Sequence, residues 1–181
     1  MKALVVYESM YGNTARIAEA IGQGLDEGGI ETVIDQVDDV EPSAAAEVDL
    51  LVVGGPTHAH GMTRDGTRAQ ALRDGKNTYE DPTRGAGMRA WTEQLPPGGG
   101  QLAAAFDTRM HGPKALTGSA AKGIAQRMQQ HGFQPVGEPG SFLVTKQSTL
   151  EQGEADRARA WGHELAQRCV VPSNGQEHLR G

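Results

Sequence analysis

The chain has 181 residues, enough for one domain with a proper core, and 17 Lys and Arg against 23 Asp and Glu give a formal charge of −6. That balance argues against nucleic acid, which needs a basic footprint, and suits docking on a basic partner surface as well as simple solubility. The single Cys169 excludes an intramolecular disulfide and a thiolate metal cluster, and no apolar run reaches membrane-spanning length. Met1-Lys2 leads straight into an apolar strand, so no secretory leader is expected and the protein is expected to be soluble and cytoplasmic.

Ala3-Leu4-Val5-Val6-Tyr7 is apolar at nearly every position, the pattern of a strand buried on both faces. A turn over Glu8-Ser9-Met10-Tyr11-Gly12-Asn13-Thr14 follows, and then Ile17, Ile21 and Leu25 recur along one helical face. Gly28-Gly29 ends that helix, and Glu31-Thr32-Val33-Ile34-Asp35 reads as a second strand. Gly22-Gln23-Gly24 with Gly28-Gly29 imitates a dinucleotide fingerprint, but it lies inside and at the end of a helix instead of at a strand exit, which excludes it. Pro42 to Glu47 reads as a short capped helix. Leu50-Leu51-Val52-Val53 is another buried strand, running into Gly54-Gly55-Pro56-Thr57-His58-Ala59-His60-Gly61.

Over the stretch 62–89 apolar content falls and arginines alternate with Gly, Asp and Thr. This is a solvated excursion with room for a short helix over Thr67–Asp74; an anion-attracting rim is the rival account. Met88, Trp91 and Leu95 sit at helical spacing before Pro96-Pro97. Leu102-Ala103-Ala104-Ala105-Phe106 is a strand that runs into Asp107-Thr108-Arg109-Met110-His111-Gly112-Pro113. Ala121, Ile124 and Met128 mark the inward face of the next helix, and Phe142-Leu143-Val144-Thr145 the last strand. Ala158, Trp161, Leu165 and Cys169 form the stripe of the last helix, which makes Cys169 a core residue instead of a redox thiol. One domain over 1–171 and a polar, frayed tail over 172–181 are expected.

Five strand patterns alternate with helices, and every connection is compatible with a right-handed crossover. The fold class is therefore α/β, a doubly wound parallel sheet with helices on both faces. The unusual loops follow the first, third and fourth strands and share one rim. The first suits a phosphate: N–H groups at a helix start lack helical partners, the helix dipole adds partial positive charge, and Gly12 lets the backbone approach closely. Ser9, Asn13 and Thr14 supply side-chain donors. The same turn also reads as an ordinary helix start capped by Ser9 or Asn13.

The motif Ser9-Met10-Tyr11-Gly12-Asn13-Thr14 after a first strand resembles the phosphate-binding loop of flavodoxins and flavodoxin-like FMN proteins. The likeness runs over roughly residues 2–170. It implies a five-stranded sheet in the order 2-1-3-4-5, with FMN as the cofactor. The ribityl phosphate would sit on Ser9, Met10, Tyr11, Gly12, Asn13 and Thr14. The isoalloxazine ring would lie between Pro56, Thr57, His58, Ala59, His60 and Gly61 on one side and Asp107, Thr108, Arg109, Met110, His111 and Gly112 on the other. Tyr11 departs from the Thr of many flavodoxins. Neither ring loop carries the usual Trp or Tyr; His58, His60, Met110 and His111 stand there instead, with Arg109 as a further cation.

The resemblance implies electron transfer to a redox protein partner or a small acceptor, with no role for nucleic acid or membrane. Because flavin carries the redox chemistry, no catalytic residue is assigned. Two other readings stay open: an FMN-dependent NAD(P)H:quinone-type oxidoreductase, and a binding module of the same fold that has lost flavin. His58-Ala59-His60 with His111 could ligate a metal, but a lone H-x-H pattern with no cysteine near it is a weak signal, and no metal is expected. A response regulator needs an acceptor Asp where this chain has Gly54-Gly55-Pro56, and no Gly-Lys-Ser/Thr follows the first turn as a P-loop NTPase would require.

Overall fold

β1 (Lys2–Tyr7) pairs in parallel with β2 (Glu31–Gln36) on one side and with β3 (Leu50–His58) on the other. The computed structural model describes residues 1–58, 61–63, 87–112 and 118–170. Ala59, His60, the helix expected over Thr67–Asp74, most of the arginine-rich stretch and the tail from 172 lie outside the described residues.

Side chains alternate across a strand, so a run apolar at every position must be covered twice. Ala3, Val5 and Tyr7 of β1 face one core with Leu50 and Val52 of β3, while Leu4 and Val6 face a second core with Leu51 and Val53. α1 (Asn13–Glu27) covers the first face, burying Ile17, Ile21 and Leu25 completely. Each such burial stabilises the fold by about 1.5–3 kcal/mol. α2 (Gly87–Glu93) and α3 (Ala120–Gln130) cover the second face through Met88, Trp91, Ile124 and Met128. α4 (Glu154–Val170) joins α1 on the first face through Ala158 and Leu165. Cys169 packs at the margin of that core, and burial pushes its thiol above the ordinary range, so it stays a thiol at neutral pH.

β4 (Gly61–Met62) lies antiparallel on the end of β3, pairing Thr57 with Met62 and His58 with Gly61. β5 (Leu102–Met110) pairs in parallel with β3. Beyond it, β6 (Gln134–Pro135) lies along the first half of β5 and β7 (Gly140–Val144) along the second. The order β2-β1-β3-β5-β6 matches the expected 2-1-3-4-5 position for position. The five expected strands become seven because β4 is added and the fifth position is split. The split follows from the four residues between β6 and β7: Gly137 adopts φ +70, and Pro139 has no N–H to donate to a ladder.

Local chemistry sets the remaining elements. Pro42–Glu47 is a 3-10 helix with proline in its first turn and no side-chain cap, where a capped helix was expected. The Trp91 indole N–H donates to the Val40 carbonyl at 2.7 Å, anchoring α2 as a core element. A Cβ on Gly54 would lie 2.2 Å from the Phe106 ring, so only glycine lets β3 lie against that side chain at its carboxyl end. Phe106, Phe142 and Trp161 form a chain of edge-to-face rings with centroids 6.4 and 6.2 Å apart. The outer edge of β7 is occupied by side chains and turns: Leu143 N–H donates to the Glu154 carboxylate at 2.6 Å, and Arg157 donates to the Ser141 carbonyl at 2.5 Å. Glu151 N–H adds a bond to the Leu143 carbonyl at 3.0 Å.

Candidate functional site: the carboxyl rim of the sheet

Because the main strands run parallel, the ends of β1, β3, β5 and β7 open on one rim. β1 ends at Tyr7, and the chain turns through to Gly12, which is left-handed at φ 81, ψ −9 and is the N-cap residue of α1. No side chain caps this helix and no acidic residue occupies its first turn, so the ordinary capped start does not apply. Arg16 N–H makes the first helical bond, to the Gly12 carbonyl at 3.1 Å. The N–H groups of Asn13, Thr14 and Ala15 precede it and have no acceptor within the helix. Ser9, Met10, Gly12 and Thr14 are buried, while Tyr11 and Asn13 are partly exposed.

The other loops close on this turn. The hydroxyls of Thr14 and Thr108 meet at 2.8 Å, joining the first turn to the end of β5. Asn13 donates one amide N–H to the Ser148 carbonyl at 2.7 Å. A fourth loop, after β7, thus belongs to the rim. Its tight turn carries Ser148 at φ 59 and is closed by Thr145 N–H on the Thr149 carbonyl at 2.8 Å. His111, exposed beyond β5, stands 3.4 Å from the Glu151 carboxylate on the same loop.

Between these loops lies a buried polar cluster. Asp107 is fully buried, and its Oδ2 accepts from Thr57 Oγ1 at 3.1 Å, Ser119 Oγ at 2.7 Å and Ala121 N–H at 3.0 Å. Its Oδ1 accepts from Ser141 Oγ at 2.6 Å. Thr57 Oγ1 in turn accepts from Ala120 N–H at 2.9 Å, and Ser119 caps α3 through Lys122 N–H. Arg109 donates from Nε to Ser141 Oγ at 2.8 Å and from Nη1 to the carbonyls of Gly112 and Met110 at 2.8 and 3.2 Å. Its side chain is held within the protein by these bonds, and only 9% of it is exposed.

The described site residues thus gather on one rim. Ser9 to Thr14, Pro56 to His58, Gly61 and Asp107 to Gly112 lie at or beside the strand ends; Ala59 and His60 lie outside the described residues. Among the described residues no three His, Cys, Asp or Glu side chains group as a metal site would require. Sequence reasoning missed Ser119, Ser141, Ser148 and Glu151. Ser119 had a readable signal, a serine directly before a helical pattern; the others are isolated polar residues whose partners come from remote parts of the chain.

The family model described as Flavodoxin matches residues 5–96, from within β1 past the end of α2. The chain belongs to the flavodoxin family. It is an FMN-binding electron-transfer flavoprotein. Solved flavodoxins share its fold at low identity. One from the domain Archaea is 22% identical with a TM-score of 0.64, over 93% of this chain and 99% of that one. Oxidised Flavodoxin 1 from Bacillus cereus is 21% identical with a TM-score of 0.67, over 92% of this chain and 98% of its own. The flavodoxin of Streptococcus pneumonia TIGR4 is 18% identical with a TM-score of 0.65, over 92% and 99%. Flavodoxin membership and the parallel sheet account together for the placement of the three loops.

Proposed function

We propose that the rim of residues 9–14, 56–61 and 107–112 holds FMN, and that the protein carries electrons to a redox protein partner in the cytoplasm. The observation that carries the site assignment is the start of α1: a left-handed Gly12, no side-chain cap, no acidic residue in the first turn, and Thr14 closed onto Thr108. A helix N-terminus left without a capping side chain suits a phosphate dianion. The N–H groups of Asn13, Thr14 and Ala15 would hold the phosphate, with the Thr14 hydroxyl and the remaining amide hydrogen of Asn13 as further donors. Pro56 and Thr57 would flank the ring on one side and Thr108 to Gly112 on the other. When bound, FMN supplies one- and two-electron chemistry, and these residues bind and orient it.

A carrier is favoured over an oxidoreductase by the flavodoxin family match, and the charged groups of the described rim are engaged within the protein. Asp107 is buried among four donors, and His111 is exposed against Glu151. The formal charge of −6 suits a partner with a basic face. A lone Cys169 without a disulfide accords with a reducing compartment, and no described helix is long and apolar enough to cross a membrane. We assign the function to residues 1–171 and none to 172–181. Titrating the apoprotein with FMN and with riboflavin tests the site: FMN binds far more tightly, and equal affinities would refute the phosphate assignment. Steady-state assays with NAD(P)H and quinones test the carrier: turnover requires a separate reductase, and turnover by the protein alone would make it an oxidoreductase.

A further inference from the structure

The Asp107 cluster does more than satisfy one buried carboxylate. Its partners come from β3, the start of α3 and β7, at sequence separations of 50, 12, 14 and 34 residues. Each of those elements ends or begins at the rim. Donors converge on both oxygens, the arrangement of an ionised carboxylate acting only as an acceptor. Ser141 sits between two charges, accepting from Arg109 Nε and donating to Asp107 Oδ1. The negative end of this relay lies one residue from Thr108, the residue that touches the phosphate turn.

We propose that Asp107 is a positioning residue: its buried carboxylate locks the loop after β3, the start of α3 and β7 onto the end of β5, and places a fixed negative charge beneath the cofactor rim. The locking concerns the chain alone, whereas the effect on the cofactor rests on the FMN site assigned above. A buried charge is poorly screened, so its field reaches the rim. Reduced FMN carries more negative charge than oxidised FMN, so this carboxylate disfavours it. Arg109 does not alter the sign of the test, since removing one negative charge changes the field by the same amount with Arg109 present.

The experiment uses the full chain, apo and loaded with FMN. In Asp107→Asn, the ratio of the oxidised-FMN to the fully reduced-FMN dissociation constant rises by roughly tenfold, equal to about 30 mV on the two-electron couple. Ser141→Ala removes a donor but keeps the charge, and it leaves that ratio unchanged. A purely structural Asp107 would move neither ratio or both alike, and either result overturns the charge role. In the apoprotein, Ser119→Ala accelerates amide exchange of Thr57–His58 and Ala120–Lys122 together, by about tenfold, while Lys2–Tyr7 stays protected. Independent exchange of those two segments overturns the locking role, even if Asp107→Asn does not fold. Failure of the wild type to bind FMN would instead sink the site assignment and leave the exchange result standing.

Discussion

The first turn and the rim between β3 and β5 are built on opposite principles. The turn from Ser9 to Thr14 is a backbone construction: Gly12 at φ 81 aims successive N–H groups outward, and no side chain caps the helix behind it. The rim between β3 and β5 is a side-chain construction, in which Asp107, Thr57, Ser119 and Ser141 hold one another across four elements. A backbone turn of this kind needs one permissive residue, Gly12, and tolerates variation around it. A side-chain cluster needs every member, because each unpaired buried group costs about 1–3 kcal/mol.

The sharpest way to break this contrast is to separate phosphate from ring. If the Ser9 and Thr14 hydroxyls donate to the phosphate, Ser9→Ala combined with Thr14→Ala removes two bonds to a charged group, each contributing about 1.5–3 kcal/mol. FMN affinity falls by a hundredfold or more in fluorescence titrations while riboflavin affinity holds; a matching loss for riboflavin would show the turn serves no phosphate. Next in size is Thr57→Val, which strips one donor from Asp107 and leaves Ala120 N–H without its acceptor. Urea denaturation should show a loss of about 1–3 kcal/mol. FMN and riboflavin should weaken by the same factor, because the ring site is what loosens.

Smaller still is the effect of Glu154→Gln, on the order of 1 kcal/mol at neutral pH. Burial pushes the Glu154 carboxyl up, but bonds from Arg157 and Leu143 N–H, with the charges of Arg157 and Arg109, outweigh it and hold the group below the ordinary range. The ionised form is thus favoured in the fold, and the unfolded chain protonates first as pH falls. This stabilisation is complete above the ordinary glutamate range and is lost as pH drops through the lowered folded value. Thermal melting of wild type and Glu154→Gln against pH should therefore converge in acid. The smallest expected effect is none: Arg68→Gln with Arg73→Gln leaves FMN affinity unchanged, and stopped-flow rates with an anionic acceptor keep their dependence on ionic strength. A slower, less salt-sensitive reaction would make the arginine stretch a steering surface.

What was legible in the sequence follows the same division. Runs such as Leu4-Val5-Val6 and Leu51-Val52-Val53 announce strands covered on both faces, and the apolar spacing of Ile17, Ile21 and Leu25 announces a helix, because these signals are local. The turn between β1 and α1 was legible for that reason too. Strand ends were not: β3 and β5 extend to His58 and Met110, past the apolar runs, since a ladder continues wherever a neighbour supplies partners. The split of the last sheet position was missed because two paired residues at β6 leave almost no pattern. The partners of Arg109 were not legible because nothing adjacent in sequence reveals Ser141, 32 residues away. Asn13 was read as a side-chain donor of the first turn, and the Ser148 carbonyl that accepts from it lies 135 residues further on, beyond the reach of any local pattern.

The covering of β7 has a consequence for how the molecule behaves among its own copies. β7 pairs with β5 on one side, and its other side would offer a row of unused N–H and C=O groups, a template for sheet growth between chains. Glu154, Arg157 and Glu151 fill that row with bonds to Leu143 and Ser141. Two of these partners are charged side chains, so a second chain that displaced them would strand an ion pair as well as a ladder. The first turn of α4 thereby covers an edge otherwise open to strand addition, and a chain carrying Glu154→Ala with Arg157→Ala should self-associate more than wild type in light scattering before it loses its helical signal.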